Sequence, residues 1–477
     1  MTLPEAFIKD MKPYLPADEL EAFCNALSDT EPTTCIRINT KKCQQVDALK
    51  SEQADALFAP SDTCTPIPWN AEEGRYLSER PQFTLDPLLH AGAYYVQEAA
   101  SQFVTHALRF LLKEGQPVTM LDLCAAPGGK STAALSVLPE GSLLVSNEID
   151  HRRARILSEN VTKWGMPHVI VTGNAPSDFT TLRNLFDVVL TDVPCSGEGM
   201  FRKDEGAVSD WSPNKVEGCV KLQREILQDI WPALKPGGIL IYGTCTFNVH
   251  EDEEQLRFIC DELGAEPIVI PVEESWNIHQ PLVDTIPCYR FMPHSTRGEG
   301  LFMAVLRKKE DESVFDIPYV PSPKKAKKNE KGKKEVVKLP VDLVSRWVNG
   351  QGEVELAADG SLRFIPSALL SLHRIIAQQG LYLLQSGITL GTMKGKDVIP
   401  AHELAMSVML NRDAFGSAEV DLNTALDYLR REAITLPADT PTGFVLICYH
   451  GLPLGFVKNM GNRCNNLYPQ EWRIRFK

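Results

Sequence analysis

From about residue 118 to residue 305 the chain alternates short apolar runs with runs spaced for a helix. Ala100, Phe103, Val104, Ala107, Leu108 and Leu111 share one helical face. The same spacing recurs at Ala154, Leu157, Val161 and Trp164, and again at Leu256, Ile259, Cys260 and Leu263. Glu251 to Glu254 fill the first turn of that last helix, where negative charge complements the helix dipole. Between the helices stand apolar runs of strand length at 120–124, 142–147, 169–172, 186–190, 239–242 and 302–306. This alternation predicts an α/β fold with a largely parallel, doubly wound sheet. Residues 1–85 are less regular and turn-rich. The region from 341 onward is punctuated by glycine and leans toward β structure, with two short strands predicted around a tight turn within 444–457.

A length of 477 residues suits about three domains. The sharpest change of composition is a lysine-rich run carrying Lys324, Lys325, Lys327, Lys328, Lys331, Lys333, Lys334 and Lys338. Such a run reads as a solvated tether. The predicted division is therefore an accessory region at 1–85, a catalytic domain at 86–308, a linker at 309–340 and a C-terminal region at 341–477. A net charge of −13 argues against a protein that coats nucleic acid indiscriminately, though a local basic groove stays compatible with it. No run approaches the ~18 apolar residues of a membrane span, and the first sixteen residues lack a signal-peptide pattern. A cytoplasmic monomer is expected. None of the 12 cysteines forms a CxxC pair, so no metal site is expected.

The chemistry gathers at three strand ends. One apolar run leads into Cys124, Ala125, Ala126, Pro127, Gly128, Gly129 and Lys130, a tight turn that opens a helix. Glycine lets backbone approach a ligand closely, and a helix N-terminus favours an anionic group such as a carboxylate. Glu148, at the end of the next strand, is placed to grip ribose hydroxyls, while Asp150 reads as a helix cap. Turn and acid together fit a nucleoside cofactor with no phosphate to bind, such as S-adenosylmethionine. The other two strand ends carry Asp192 with Cys195, and Cys245. In an open α/β sheet all three would face one crevice.

These motifs resemble the RNA cytosine-5 methyltransferases of the Sun-domain group. The likeness rests on Asp192-Val193-Pro194-Cys195-Ser196-Gly197-Glu198-Gly199, Thr244-Cys245-Thr246 and the 124–130 turn. It is extended by Tyr94 to Ser101, Arg37-Ile38-Asn39 and Gly298 to Phe302. The resemblance implies a Rossmann-like S-adenosylmethionine-dependent sheet. It also implies Cys245 as the nucleophile that attacks cytosine C6, Cys195 as an aid to product release, and Asp192 at N3 and the cofactor edge. Residues 124–130 would wrap the methionine end of the cofactor, and Glu148 would take the ribose. DNA cytosine-5 enzymes place their nucleophile in the Pro-Cys motif, so the presence of both cysteines favours the RNA class. Asn174 stands where many members carry an aspartate beside the adenine, and Thr246 replaces a commoner serine. Gly391 to Gly395 and the segment 452–458 resemble the tail of the small-subunit ribosomal RNA methyltransferase F group, which includes a β-rich, PUA-like RNA-binding module. The expected partner is thus RNA, in the form of small-subunit ribosomal RNA or the assembled subunit. Transfer RNA is the runner-up, and a catalytically idle RNA-binding assembly factor is the rival from another class. Removal of everything after about Lys308 is expected to weaken RNA binding more than cofactor binding.

Overall fold

The computed structural model describes residues 2–46, 64–283, 285–310, 344–357, 359–395 and 397–476. Nearly all of the lysine-rich linker lies outside the described residues. Five strands run parallel in the order Leu234–Thr244, Phe186–Asp192, Thr119–Asp122, Leu143–Asn147 and Val169–Thr172. Leu301–Lys308 adds antiparallel to Leu234–Thr244, and Ala265–Pro267 and Tyr289–Phe291 pair with it in turn. Alternate residues of each strand face opposite sides. Met120, Leu144, Val171 and Val188 pack with Val104, Leu108, Leu135 and Leu157 on one side. Leu121, Val145, Ile170 and Val189 pack with Ile226, Leu227, Leu256 and Ile259 on the other. The sheet is therefore doubly wound, as the alternation predicts. The chain leaves Thr119–Asp122 toward one edge and returns at Phe186–Asp192 toward the other. That reversal opens a crevice at the carboxyl ends of the two strands.

The first turn of the helix Glu253–Asp261 departs from expectation. Glu251, Asp252 and Glu253 are fully buried and do not face water. A buried charge must be paired, and the partner is Arg290. It ion-pairs with Asp252 and Glu253 and donates to the carbonyl of Phe247.

The sheet also extends past the sequence-based division. Leu383–Ser386, from the C-terminal region, pairs antiparallel with Val169–Thr172 and forms that edge. Gln385 Oε1 accepts from Ser158 Oγ and Thr162 Oγ1 on the helix His151–Trp164. Leu369, Ile376 and Leu381 join the core face that holds Leu227 and Ile259. Periodicity within 86–308 could not reveal a strand contributed from so far along the chain. The expectation for a chain ended at residue 308 changes accordingly. Such a truncation should lose cofactor affinity as well as RNA affinity, and should be destabilised by at least about 3 kcal/mol, the scale of one buried leucine removed. Calorimetric titration with a cofactor analogue, alongside chemical denaturation, checks this; unchanged affinity and stability would refute it.

The two ends of the chain share a core. Thr34–Ile38, Gly74–Leu77, Cys64–Pro66 and Tyr94–Val96 form one four-stranded sheet. Gly416–Glu419, Gly443–Tyr449, Leu452–Asn459 and Cys464–Asn466 form another. Ile36, Ile38, Leu88 and Tyr94 pack directly with Tyr428, Val445, Leu452 and Tyr468. A third small sheet, Gly352–Leu356, Ser361–Pro366, Ile388–Lys394 and Asp397–Pro400, completes the β-rich C-terminal region. The predicted hairpin within 444–457 is present. His450 and Gly451 turn it with φ of 47° and 74°, and the left-handed pair matches strand twist. Among the described residues no helix is long and apolar enough to cross a membrane.

Candidate active site

The crevice at the switch point holds a cavity of about 420 Å³. Cys124, Ala126, Glu148, Asp192, Cys195 and Cys245 all line it. Larger hollows of about 580 and 700 Å³ lie elsewhere, and neither joins two thiols to a strand-end carboxylate.

Ala125, Pro127, Gly128 and Gly129 form the turn behind the cavity wall. The Ala126–Pro127 bond is cis, and Gly128 sits at φ +113° as the N-cap of the helix Gly129–Val137. A Cβ on Gly128 would stand 3.2 Å from Leu157 Cδ1, so both backbone angle and space ask for glycine. Ala125 N–H donates to the Asn147 carbonyl, tying the turn to the neighbouring strand end.

Glu148 is 3 % exposed. Its Oε1 accepts from the Asp150 amide, while Oε2 is buried without a hydrogen bond and lies 3.3 Å from Arg153 Nη1. A buried carboxylate oxygen lacking a donor suits a ligand hydroxyl. Asp150 caps the helix His151–Trp164 by accepting from the Arg152 and Arg153 amides. Asp122, to which the sequence assigned no role, ends the central strand fully buried. Ser131 Oγ donates to its Oδ2, its Oδ1 has no partner among the described residues, and burial pushes its acid up to about 7.

Lys130 points to Asp192, donating from Nζ to Oδ2 over 2.7 Å. Burial opposes its charge, but Asp192, with Asp122 and Cys245 adding to it, holds the ammonium above its usual range. Asn174 departs from expectation and does not line the cavity. Its Nδ2 donates to the Tyr382 carbonyl and its Oδ1 accepts from the Tyr382 amide. The side chain expected beside an adenine instead fastens the C-terminal edge strand. Asn147, which does line the cavity, donates to the carbonyls of Leu123 and Asn174 and links that edge to the cavity floor.

The two thiols meet. Cys195 Sγ lies 3.2 Å from Cys245 Sγ. The hydrogen bond to Cys245, reinforced by burial, pushes the Cys195 thiol well above its usual range. Either sulfur can be the donor in this contact.

Two buried glutamates, neither assigned a role from sequence, brace the loops that carry the thiols. Glu198, on the Cys195 loop, accepts from the amides of Phe247 and Asn248 and from Trp211 Nε1. Glu251, beyond the Cys245 loop, accepts from the Ser196 amide at 3.0 Å and from Gln223 Nε2. Asn248 Nδ2 donates to both carboxylates at 2.8 Å. Each loop thus holds the other's backbone. Thr246 is part of the same network, its hydroxyl 3.1 Å from Ser196 Oγ. Gly199 N–H donates to the Cys245 carbonyl, and a Cβ there would come within 2.9 Å of that oxygen. The final glycine of the motif therefore allows one loop to lie against the other. Signal for Glu198 was present in the motif itself; Glu251 gave none beyond an acidic run.

Three family models match successive parts of the chain. They are the N-terminal domain of 16S rRNA methyltransferase RsmF at 3–99, 16S rRNA methyltransferase RsmB/F at 109–307, and the methyltransferase RsmF PUA domain at 416–474. Across these segments the chain is similar to the RsmB/F and RsmF methyltransferases. Its relatives include ribosomal RNA small subunit methyltransferase F of Erwinia tasmaniensis, 29 % identical over 98 % of this chain and 96 % of that one. The protein of that name from Shewanella amazonensis is 27 % identical over 97 % and 96 %. Among solved structures, a methyltransferase homologue from Pyrococcus horikoshii superposes with a TM-score of 0.50 at 24 % identity, covering 64 % of this chain and all of its own. NSun6 from the same organism, solved with SFG, gives 0.52 at 17 %, covering 65 % and 99 %. These structural likenesses extend to the family's Rossmann-like fold.

Proposed function

We propose that this protein transfers a methyl group from S-adenosylmethionine to C5 of a cytosine in small-subunit ribosomal RNA, through a covalent bond between Cys245 and cytosine C6. The observation that carries the reading is the pair of thiols, 3.2 Å apart, in a cavity that also holds Glu148 and Asp192. Glu148 Oε2 and the 124–129 turn would hold the cofactor's ribose and methionine end. The cofactor supplies an electrophilic methyl on a sulfonium sulfur.

Cytosine C5 is a poor nucleophile. Attack of the Cys245 thiolate on C6 forms a C–S bond and pushes the ring's electrons to C5, which then accepts the methyl group. The proton needed at N3 comes by way of Asp192, whose Oδ2 is held by Lys130 while Oδ1 has no hydrogen bond among the described residues. Loss of the C5 proton to a base, water or a basic side chain, with the N3 proton returned by way of Asp192, then expels the Cys245 sulfur from C6 and restores the ring double bond. Cys195, next to the departing sulfur, assists this last step.

The test is transfer of tritium from labelled cofactor to RNA, with bisulfite sequencing of the product. Label in small-subunit RNA, or in the assembled subunit, at a bisulfite-resistant cytosine is the expected result. Label in transfer RNA alone would move the substrate, and no label in any of the three would favour the idle assembly factor.

A further inference from the structure

Glu19, His279 and His294 converge from distant parts of the chain where the N-terminal helix Ala17–Ser28 meets the catalytic domain. Glu19 Oε1 lies 3.2 Å from His294 Nε2 and 3.5 Å from His279 Nδ1. Ligating atoms of all three lie within 4.8 Å of one another. We propose that these side chains form a binding site for a divalent transition metal of the zinc class, with a further position left to water.

The spacing carries the argument. His294 Nε2 is within hydrogen-bond reach of Glu19 Oε1 at 3.2 Å, while His279 Nδ1 stands off at 3.5 Å, beyond the usual range of such a bond. Ligands about 2.1 Å from a tetrahedral zinc stand about 3.4 Å apart, and the two distances from Glu19 fall on either side of that value. Two imidazoles and a carboxylate form a donor set that zinc accepts. The three residues are half-buried, so the site is sheltered but reachable.

The site is separate from the thiols but mechanically joined to them. His279 exchanges both backbone hydrogen bonds with Arg290. The Arg290 guanidinium binds Asp252, Glu253 and the Phe247 carbonyl, and Thr244 Oγ1 donates to Asp252. A bound metal would therefore staple the N-terminal helix to the frame of the Cys245 loop. Close cysteine pairs are the usual sequence sign of zinc, and this site has none, so the expectation of no metal is revised here.

The test is titration of the full-length protein, stripped with a chelator, with cobalt(II). A Cys195→Ala/Cys245→Ala background keeps the paired thiols from contributing. One equivalent per chain should bind, with visible ligand-field bands, no thiolate charge-transfer band, and displacement by zinc. Glu19→Gln and His279→Ala should each weaken binding by at least about tenfold. If His279→Ala fails to fold, the near-isosteric Glu19→Gln decides. Absence of the bands, a thiolate spectrum, or unchanged affinity in Glu19→Gln would overturn the site.

Discussion

Replacing Cys245 with alanine should lower methyl transfer by at least about 10⁴-fold, the scale seen when a covalent nucleophile is removed, while cofactor affinity stays close to that of the native protein. The two effects separate because Cys245 is held by a different part of the fold from the cofactor turn. Its loop is fixed through main-chain atoms, with Gly199 N–H on the Cys245 carbonyl and Glu198 on the amides of Phe247 and Asn248. Truncating the side chain leaves those bonds intact. The 124–129 turn is anchored separately, by Ala125 on the Asn147 carbonyl, Arg153 on the Ala126 carbonyl and Asn160 on the Pro127 carbonyl. Single-turnover kinetics and calorimetric titration with a cofactor analogue measure the two quantities. Turnover within tenfold of the native rate would remove Cys245 from the nucleophile's role.

Cys195→Ala should instead accumulate a covalent protein–RNA complex that survives denaturing electrophoresis. The variant retains the attacking sulfur, so C6 addition and methyl transfer proceed. It lacks the neighbouring thiol 3.2 Å away, so elimination stalls. The methylated base then stays on Cys245, and the complex carries label from the cofactor. The double variant should form no complex, because without the Cys245 sulfur there is nothing to trap. If Cys195 merely packs at a strand end, its loss is a small truncation that costs about 1 kcal/mol and traps nothing. A shifted band with Cys245→Ala but not with Cys195→Ala would reverse the two roles.

Much of this site is legible in the residues because its parts are local. A strand end, a tight turn and the next helix lie within a dozen residues, so Cys124 to Lys130 declare their shape without knowledge of the rest. Cys195 and Cys245 are each legible for the same reason, and strand alternation alone puts them in one crevice. The pieces that escaped depend on contacts between distant segments. The acidic run at 251–254 has the pattern of a solvated helix start; Arg290 explains why Asp252 and Glu253 are buried, and Ser196, Gln223 and Asn248 explain Glu251. The family resemblance puts Asn174 where many members carry an aspartate beside the adenine. Its partner, the Tyr382 backbone, belongs to a segment whose pairing no local pattern announces. Leu383–Ser386 is short and bordered by glycines, so its membership in the main sheet is decided by the open edge it covers.

The core shared by the two ends of the chain has a consequence for how the protein is made. On the ribosome the N-terminal sheet emerges first and Ile36, Ile38 and Tyr94 can pack with Leu77 and Leu88, yet their core is completed only when Tyr428, Val445, Leu452 and Tyr468 have been synthesised. The apolar face of the first module must wait, uncovered, for almost the whole length of translation. The catalytic sheet too lacks its edge until Leu383–Ser386 arrives. Contacts so distant in sequence are the slow ones to form, because the loop between them must close first. Maturation is thereby tied to completion: a nascent or prematurely ended chain holds both cysteines and the cofactor turn, but not the edge strand and shared core that close the fold around them.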